Sequence, residues 1–121
     1  LASWVLQAQA GTSCASLTAL TASGITIQSA AEVAAGSFIA PGVQAPLRFC
    51  RVVATAAPSS DSDIHFEVWI PLVEHWNGKL LGTGNGGFAG AIAYRPMADA
   101  LARGYASVSS DTGHSGDQME F

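Results

Sequence analysis

Apolar and polar residues alternate without a break over Ile64-His65-Phe66-Glu67-Val68-Trp69-Ile70, the two-residue period of a β-strand. Ile64, Phe66, Val68 and Ile70 share one face, and His65, Glu67 and Trp69 share the other. His65 and Glu67 are therefore expected to be solvated, while Trp69 and Trp76 are expected to serve packing. Leu47–Ala56, with Val52 and Val53, is a second strand. The turn-forming run Pro58-Ser59-Ser60-Asp61-Ser62-Asp63 lies between them, so the pair predicts an antiparallel hairpin. Pro71 ends the hairpin, Trp76-Asn77-Gly78-Lys79 reads as a tight turn, and Lys79–Thr83 as the next strand. Ile92–Arg103 has helical spacing, with Ala93, Met97 and Leu101 on one face. Pro96 suits its first turn and Gly104 its C-terminal cap. Tyr105–Ser110 is a strand of moderate strength leading into the loop Asp111–Asp117. Upstream the pattern is weaker. Thr12 or Ser13 can cap a short helix over Cys14–Ala22, which Gly24 ends. Ile25-Thr26-Ile27 is a short β-prone piece, Ala30–Ala35 is ambiguous, and Pro41, Gly42 and Pro46 mark a loop.

Between the third strand and the helix lies Gly82-Thr83-Gly84-Asn85-Gly86-Gly87-Phe88-Ala89-Gly90, with five glycines among nine residues. Such a stretch brings backbone N–H groups close to a ligand or a reacting atom. The pattern GxGxxG is met by Gly82, Gly84 and Gly87, the form of a dinucleotide fingerprint, with Asp111 as an acidic residue further on. A dinucleotide fold places that fingerprint after its first strand. Here a hairpin precedes it. An α/β-hydrolase begins with such a hairpin and carries an oxyanion loop after strand three. The order of hairpin, strand, glycine-rich loop, helix, strand and loop favours that second arrangement. The expected fold class is α/β, the N-terminal part of an α/β-hydrolase fold with an incomplete sheet.

Apolar residues make up 49% of the 121 and charged residues 12%. That is ample for a core and argues against disorder. The net charge is −4 and the five basic residues are scattered, so no stripe suits nucleic acid or an anionic membrane. Leu1–Leu6 is apolar, and Ala8-Gln9-Ala10 has the small-x-small form of a signal-peptidase site. Residues 1–10 thus read as the tail of a secretory signal and 11–121 as the domain, an ordinary first helix or strand being the alternative; the signal reading predicts a secreted or periplasmic chain. Cys14 and Cys50 suit one disulfide in an exported chain; two buried free thiols are the alternative.

The residues Trp76–Gly90, then Met97–Tyr105, then Ser110-Asp111-Thr112-Gly113-His114 resemble the tannase and feruloyl esterase family. Phe49-Cys50-Arg51-Val52 and Phe66–Pro71 fit it as well, and the likeness runs from about Cys14 to Phe121. The resemblance implies a secreted serine esterase with an α/β-hydrolase domain and a large lid, cleaving aromatic esters such as gallates, feruloyl esters or a terephthalate monoester. It implies that Gly87 is the oxyanion-hole donor with Gly86 beside it, and that Cys14 and Cys50 are bonded. It places the serine nucleophile, the acid, the histidine, the lid and its calcium site beyond Phe121. On this reading the chain is the N-terminal portion of a longer enzyme, inactive alone and without a cofactor of its own.

Gly113-His114-Ser115-Gly116-Asp117 approaches a GxSxG elbow but ends in Asp117 instead of Gly, and it comes one strand too early with no acid and histidine after it. A metal site of Asp111, His114 and Asp117 rests on a single loop and is thinly supported. Asp111 and His114 either shape the floor of the active site or hold a turn. Phe88 either lines the acyl pocket or packs in the core. The competing functions are a non-catalytic secreted remnant or a module that binds an anion or nucleotide in the glycine loop.

Overall fold

The computed structural model describes residues 13–83 and 90–113. Seven strands and one α-helix form it: β1 (Ile25–Val33), β2 (Phe38–Ala40), β3 (Val43–Gln44), β4 (Phe49–Ala56), β5 (Ile64–Pro71), β6 (Leu80–Gly82), α1 (Tyr94–Ala102) and β7 (Ala106–Ser110). Five of the strands make one sheet in the order β1-β4-β5-β7-β6, and β2 and β3 pair separately. The hairpin β4–β5 is antiparallel, with Val52 opposite Val68. β7 runs antiparallel to β5 and parallel to β6. β6, α1 and β7 thus form a βαβ unit joined to the hairpin, the arrangement expected for the N-terminal part of an α/β-hydrolase.

The weakly patterned N-terminal region holds the main differences from expectation. The helix expected over Cys14–Ala22 is a short 3-10 helix, Ala15–Ala19. The β-prone piece at Ile25 extends into a nine-residue strand that takes in most of the ambiguous alanine stretch. Ala30 pairs with Val52 and Val33 with Phe49, so a neighbour already in place overrides the poor strand preference of alanine. The loop at Pro41 and Gly42 is the tip of the small β2–β3 hairpin, with Gly42 at φ 73°.

Each face of the sheet has its own apolar cluster. On one face Phe49 and Trp69 pack with Ala45, Met97 and Leu101, as the Met97/Leu101 spacing of α1 predicts. On the other, Ala30, Cys50 and Val52 gather Leu17, Ile27, Val68 and Ile70. The alternation read for β5 is real, but the assignment of its solvated side is corrected. Trp69 is fully buried and Glu67 is only 4% exposed, both on the α1 face, while His65 is exposed. Trp76 does not enter the core. It is half-exposed and donates from Nε1 to the Lys79 carbonyl at 3.0 Å, closing the expected turn.

Cys14 and Cys50 are bonded to each other, 36 residues apart in sequence, tying the 3-10 helix to β4; the free-thiol alternative is set aside. Among the described residues no helix is long and apolar enough to cross a membrane. Gly104 caps α1 at φ 85°, donating to the Leu101 carbonyl at 2.9 Å.

Two stability predictions arise from these connections. A Cβ at position 104 would meet the His75 carbonyl oxygen at 2.6 Å in a backbone conformation that suits glycine. Gly104→Ala is expected to destabilise the protein by at least about 1–2 kcal/mol in denaturant titration. Replacing Cys14 and Cys50 by serine releases the loop they close and is expected to cost about 3–4 kcal/mol in the same measurement. An unchanged midpoint in either case contradicts the corresponding role.

Candidate active site

The site is framed by the parallel pair. Leu80, Leu81 and Gly82 lie opposite Ala106, Ser107 and Val108, so β6 and β7 reach the same end of the sheet side by side. The Thr83 N–H donates to the Val108 carbonyl at 2.9 Å, carrying the ladder one residue further. The glycine-rich stretch starts there. The carboxyl end of parallel strands is where ligands bind in sheets of this kind. Gly86, Gly87 and Phe88, and likewise His114, lie outside the described residues. The chain is next described at Gly90, which is buried at φ 87°. Ile92 then packs on the core, and the Ala93 N–H donates to Ser109 Oγ on β7 at 3.0 Å. That bond satisfies one of the N–H groups a helix start leaves open.

Asp111 follows β7 directly and is 6% exposed. Its Oδ1 accepts from the backbone N–H of His65 at 3.1 Å and of Gly113 at 2.9 Å. Its own N–H donates to the His65 carbonyl at 2.9 Å. The carboxylate therefore holds a turn in which Thr112 has φ 58° and Gly113 φ 98°. Short polar side chains that bind backbone N–H groups stabilise such turns.

Glu67 is the residue that the alternation pattern missed. Arg51 holds its carboxylate from both sides, Nε to Oε1 at 2.7 Å and Nη2 to Oε2 at 3.0 Å. Trp69 Nε1 donates to Oε1 at 3.0 Å, and the Tyr94 hydroxyl donates to Oε2. Phe49 and Tyr94 flank Trp69 at centroid distances of 4.5 and 6.1 Å. Burial pushes the Glu67 carboxyl upward, but the hydrogen bonds from Arg51, Trp69 and Tyr94 and the Arg51 charge outweigh it and hold it below its ordinary value. The bond to Glu67 holds the Arg51 guanidinium above its own ordinary value, against burial. Burial, then the hydrogen bond to Glu67, pushes the Tyr94 phenol up to about 12. A signal for this cluster was present in the sequence. The face that carries Trp69 also carries Glu67 and, across the hairpin, Phe49 and Arg51. Large aromatic rings beside opposite charges mark a paired, buried face.

Because the folded-state carboxyl is held below 4.5, its contribution to stability is present above the unfolded value and is lost as pH falls through the folded one. Glu67→Gln is expected to lose on the order of 2–3 kcal/mol at pH 7. That is below the ~3–5 kcal/mol of a fully buried broken pair, because the Arg51 side chain is 28% exposed. The variant is also expected to show a flatter decline in stability below pH 4.5 than the wild type. Parallel acid limbs in urea titrations of the two proteins would exclude this linkage.

Comparison with known proteins matches the family described as tannase and feruloyl esterase over residues 50–120, more than half of the chain. An uncharacterized esterase of Xanthomonas campestris pv. campestris is 48% identical over 110 residues, covering 88% of this chain and 19% of that protein. Feruloyl esterase C of Talaromyces stipitatus is 44% identical over 71 residues, covering 59% of this chain and 13% of its own length. The crystal structure of feruloyl esterase B from Aspergillus oryzae superimposes with a TM-score of 0.78 at 33% identity, over 93% of this chain and 22% of that one. The chain thus spans less than a quarter of the length of these relatives. With its hairpin, its parallel β6–β7 pair and the match over residues 50–120, the chain belongs to the tannase and feruloyl esterase family.

Proposed function

We propose that the protein is a secreted or periplasmic serine carboxylic-ester hydrolase acting on small aromatic esters, gallate, ferulate or related, and that this chain contributes its oxyanion loop. The observation that carries this reading is the parallel pairing of β6 with β7, which starts the glycine-rich stretch at the carboxyl end of the sheet in a chain of this family. The Cys14–Cys50 bridge supports an oxidising compartment.

A serine supplied from beyond Phe121, its proton taken by a histidine, attacks the ester carbonyl carbon. The carbonyl oxygen becomes an oxyanion. Two N–H groups receive it, that of Gly87, with Gly86 its neighbour in the loop, and that of the residue after the serine. Collapse of the tetrahedral intermediate breaks the ester C–O bond, and the histidine returns its proton to the departing alcohol. Water then attacks the acyl-serine by the same route and releases the aromatic acid. Phe88 lines the acyl side of the pocket. Asp111, by holding its turn, sets where His114 enters the pocket floor.

The loop's role has a kinetic signature. Gly87→Pro removes the N–H outright. Its hydrogen bond forms mainly in the transition state, so kcat is expected to fall by about 10²–10³ with KM little changed. The measurement is steady-state hydrolysis of methyl gallate and methyl ferulate by the full-length protein. Wild-type kcat in a folded Gly87→Pro variant would remove Gly87 from the oxyanion hole, and turnover of neither ester by the wild type would remove the substrate class.

A further inference from the structure

We propose that Glu67, Tyr94 and Ser109 are positioning residues for ester hydrolysis, because together they fix the backbone where it leaves the glycine-rich stretch. The proposal rests on the reading of that stretch as the oxyanion loop. A glycine-rich segment does not fix its own N–H groups in direction, so its precision must come from where its two ends are held. The entry is held by ladder hydrogen bonds, ending at Thr83 on Val108. At the exit, side chains anchor two consecutive residues, Ala93 through its N–H on Ser109 Oγ and Tyr94 through its hydroxyl on Glu67 Oε2.

The two acceptors have a common origin. Glu67 and Ser109 face each other as register partners in the β5–β7 pair. Both turn toward α1. One adjacent pair of positions on the sheet therefore fixes both the height and the rotation of the first turn of α1. Apolar contacts from Ile92 and Met97 hold the helix down but are non-directional and tolerate sliding. The hydrogen bonds do not. Arg51 and Trp69 take the remaining capacity of the carboxylate, which leaves Oε2 a single orientation toward Tyr94.

Stability alone is a poor reason for this cluster. A buried ion pair is often no more stabilising than apolar residues of the same volume. What the carboxylate supplies that apolar residues cannot is direction. A displacement of about 1 Å at a reacting group can cost on the order of 10²-fold in rate even when its origin is remote. The anchors sit within a few residues of the loop they terminate.

The test uses the full-length enzyme with methyl gallate and methyl ferulate. Tyr94→Phe keeps the ring against Trp69 and removes only the hydroxyl. It is expected to lower kcat about tenfold with KM within about twofold of wild type. On a Gly87→Pro background the same change is expected to alter kcat by less than about twofold, because the donor it positions is already gone. A residue that serves only folding would lower both backgrounds by the same factor. Equal factors, or wild-type kcat in Tyr94→Phe, overturn the proposal. Ser109→Ala carries the identical comparison should Tyr94→Phe fail to fold. Loss of activity in Gly87→Pro with no effect of either anchor variant leaves the oxyanion reading standing and sinks only the positioning role. Wild-type kcat in Gly87→Pro sinks the oxyanion reading itself.

Discussion

One carboxylate organises the face of the sheet that carries the helix. Glu67 is a charged residue in the middle of a strand, nearly out of water, and it stays charged because four donors converge on its two oxygens. The donors come from three positions. Arg51 lies on the neighbouring strand, Trp69 two residues along the same strand, and Tyr94 at the start of the helix. The burial that should make the group costly is what gives those bonds their strength, since water does not compete for them. Hairpin, aromatic core and helix are thereby joined at a point that apolar packing alone would leave free to slide.

A second constraint is topological. β7 enters between β5 and β6, antiparallel to one and parallel to the other. Its insertion brings the carboxyl end of β6 beside its own. It also sets Ser109 opposite Glu67 and lets Asp111 reach back to the His65 backbone. Three separate parts of the chain, the end of β6 at Gly82 and Thr83, the start of α1 and the turn after β7, therefore meet at one end of the sheet. The disulfide works on the opposite face, where Cys14 and Leu17 close over β4 beside Val52, Val68 and Ile70. The helix face is held by directional bonds as well as packing, and the opposite face by a covalent tie.

Much of this was legible in the residues. The hairpin, the short strand before the glycines, the Met97/Leu101 face of the helix, the Gly104 cap and the last strand all lie where period and turn chemistry place them. Those signals are local, and the elements they describe pack much as their patterns ask. The alanine-rich piece after Ile27 was not legible, because alanine is a weak strand former and only the edge of β4 makes it one. The glycine spacing alone met a dinucleotide fingerprint as well as an oxyanion loop. The order of elements around it favoured the second.

What the sequence determined by itself was the order and period of the elements from β4 onward and the family likeness. What only the tertiary structure decided was which face of β5 is inside. Alternation states that a strand has two faces and says nothing about which of them a helix will cover. The more apolar face, Phe66, Val68 and Ile70, is half-buried, and the face with Glu67 lies under α1. The reason is that a charged side chain joins a core when donors from elsewhere in the chain reach it. The closeness of Arg51 and Tyr94 to Glu67 exists only once the strands have paired and the helix has docked.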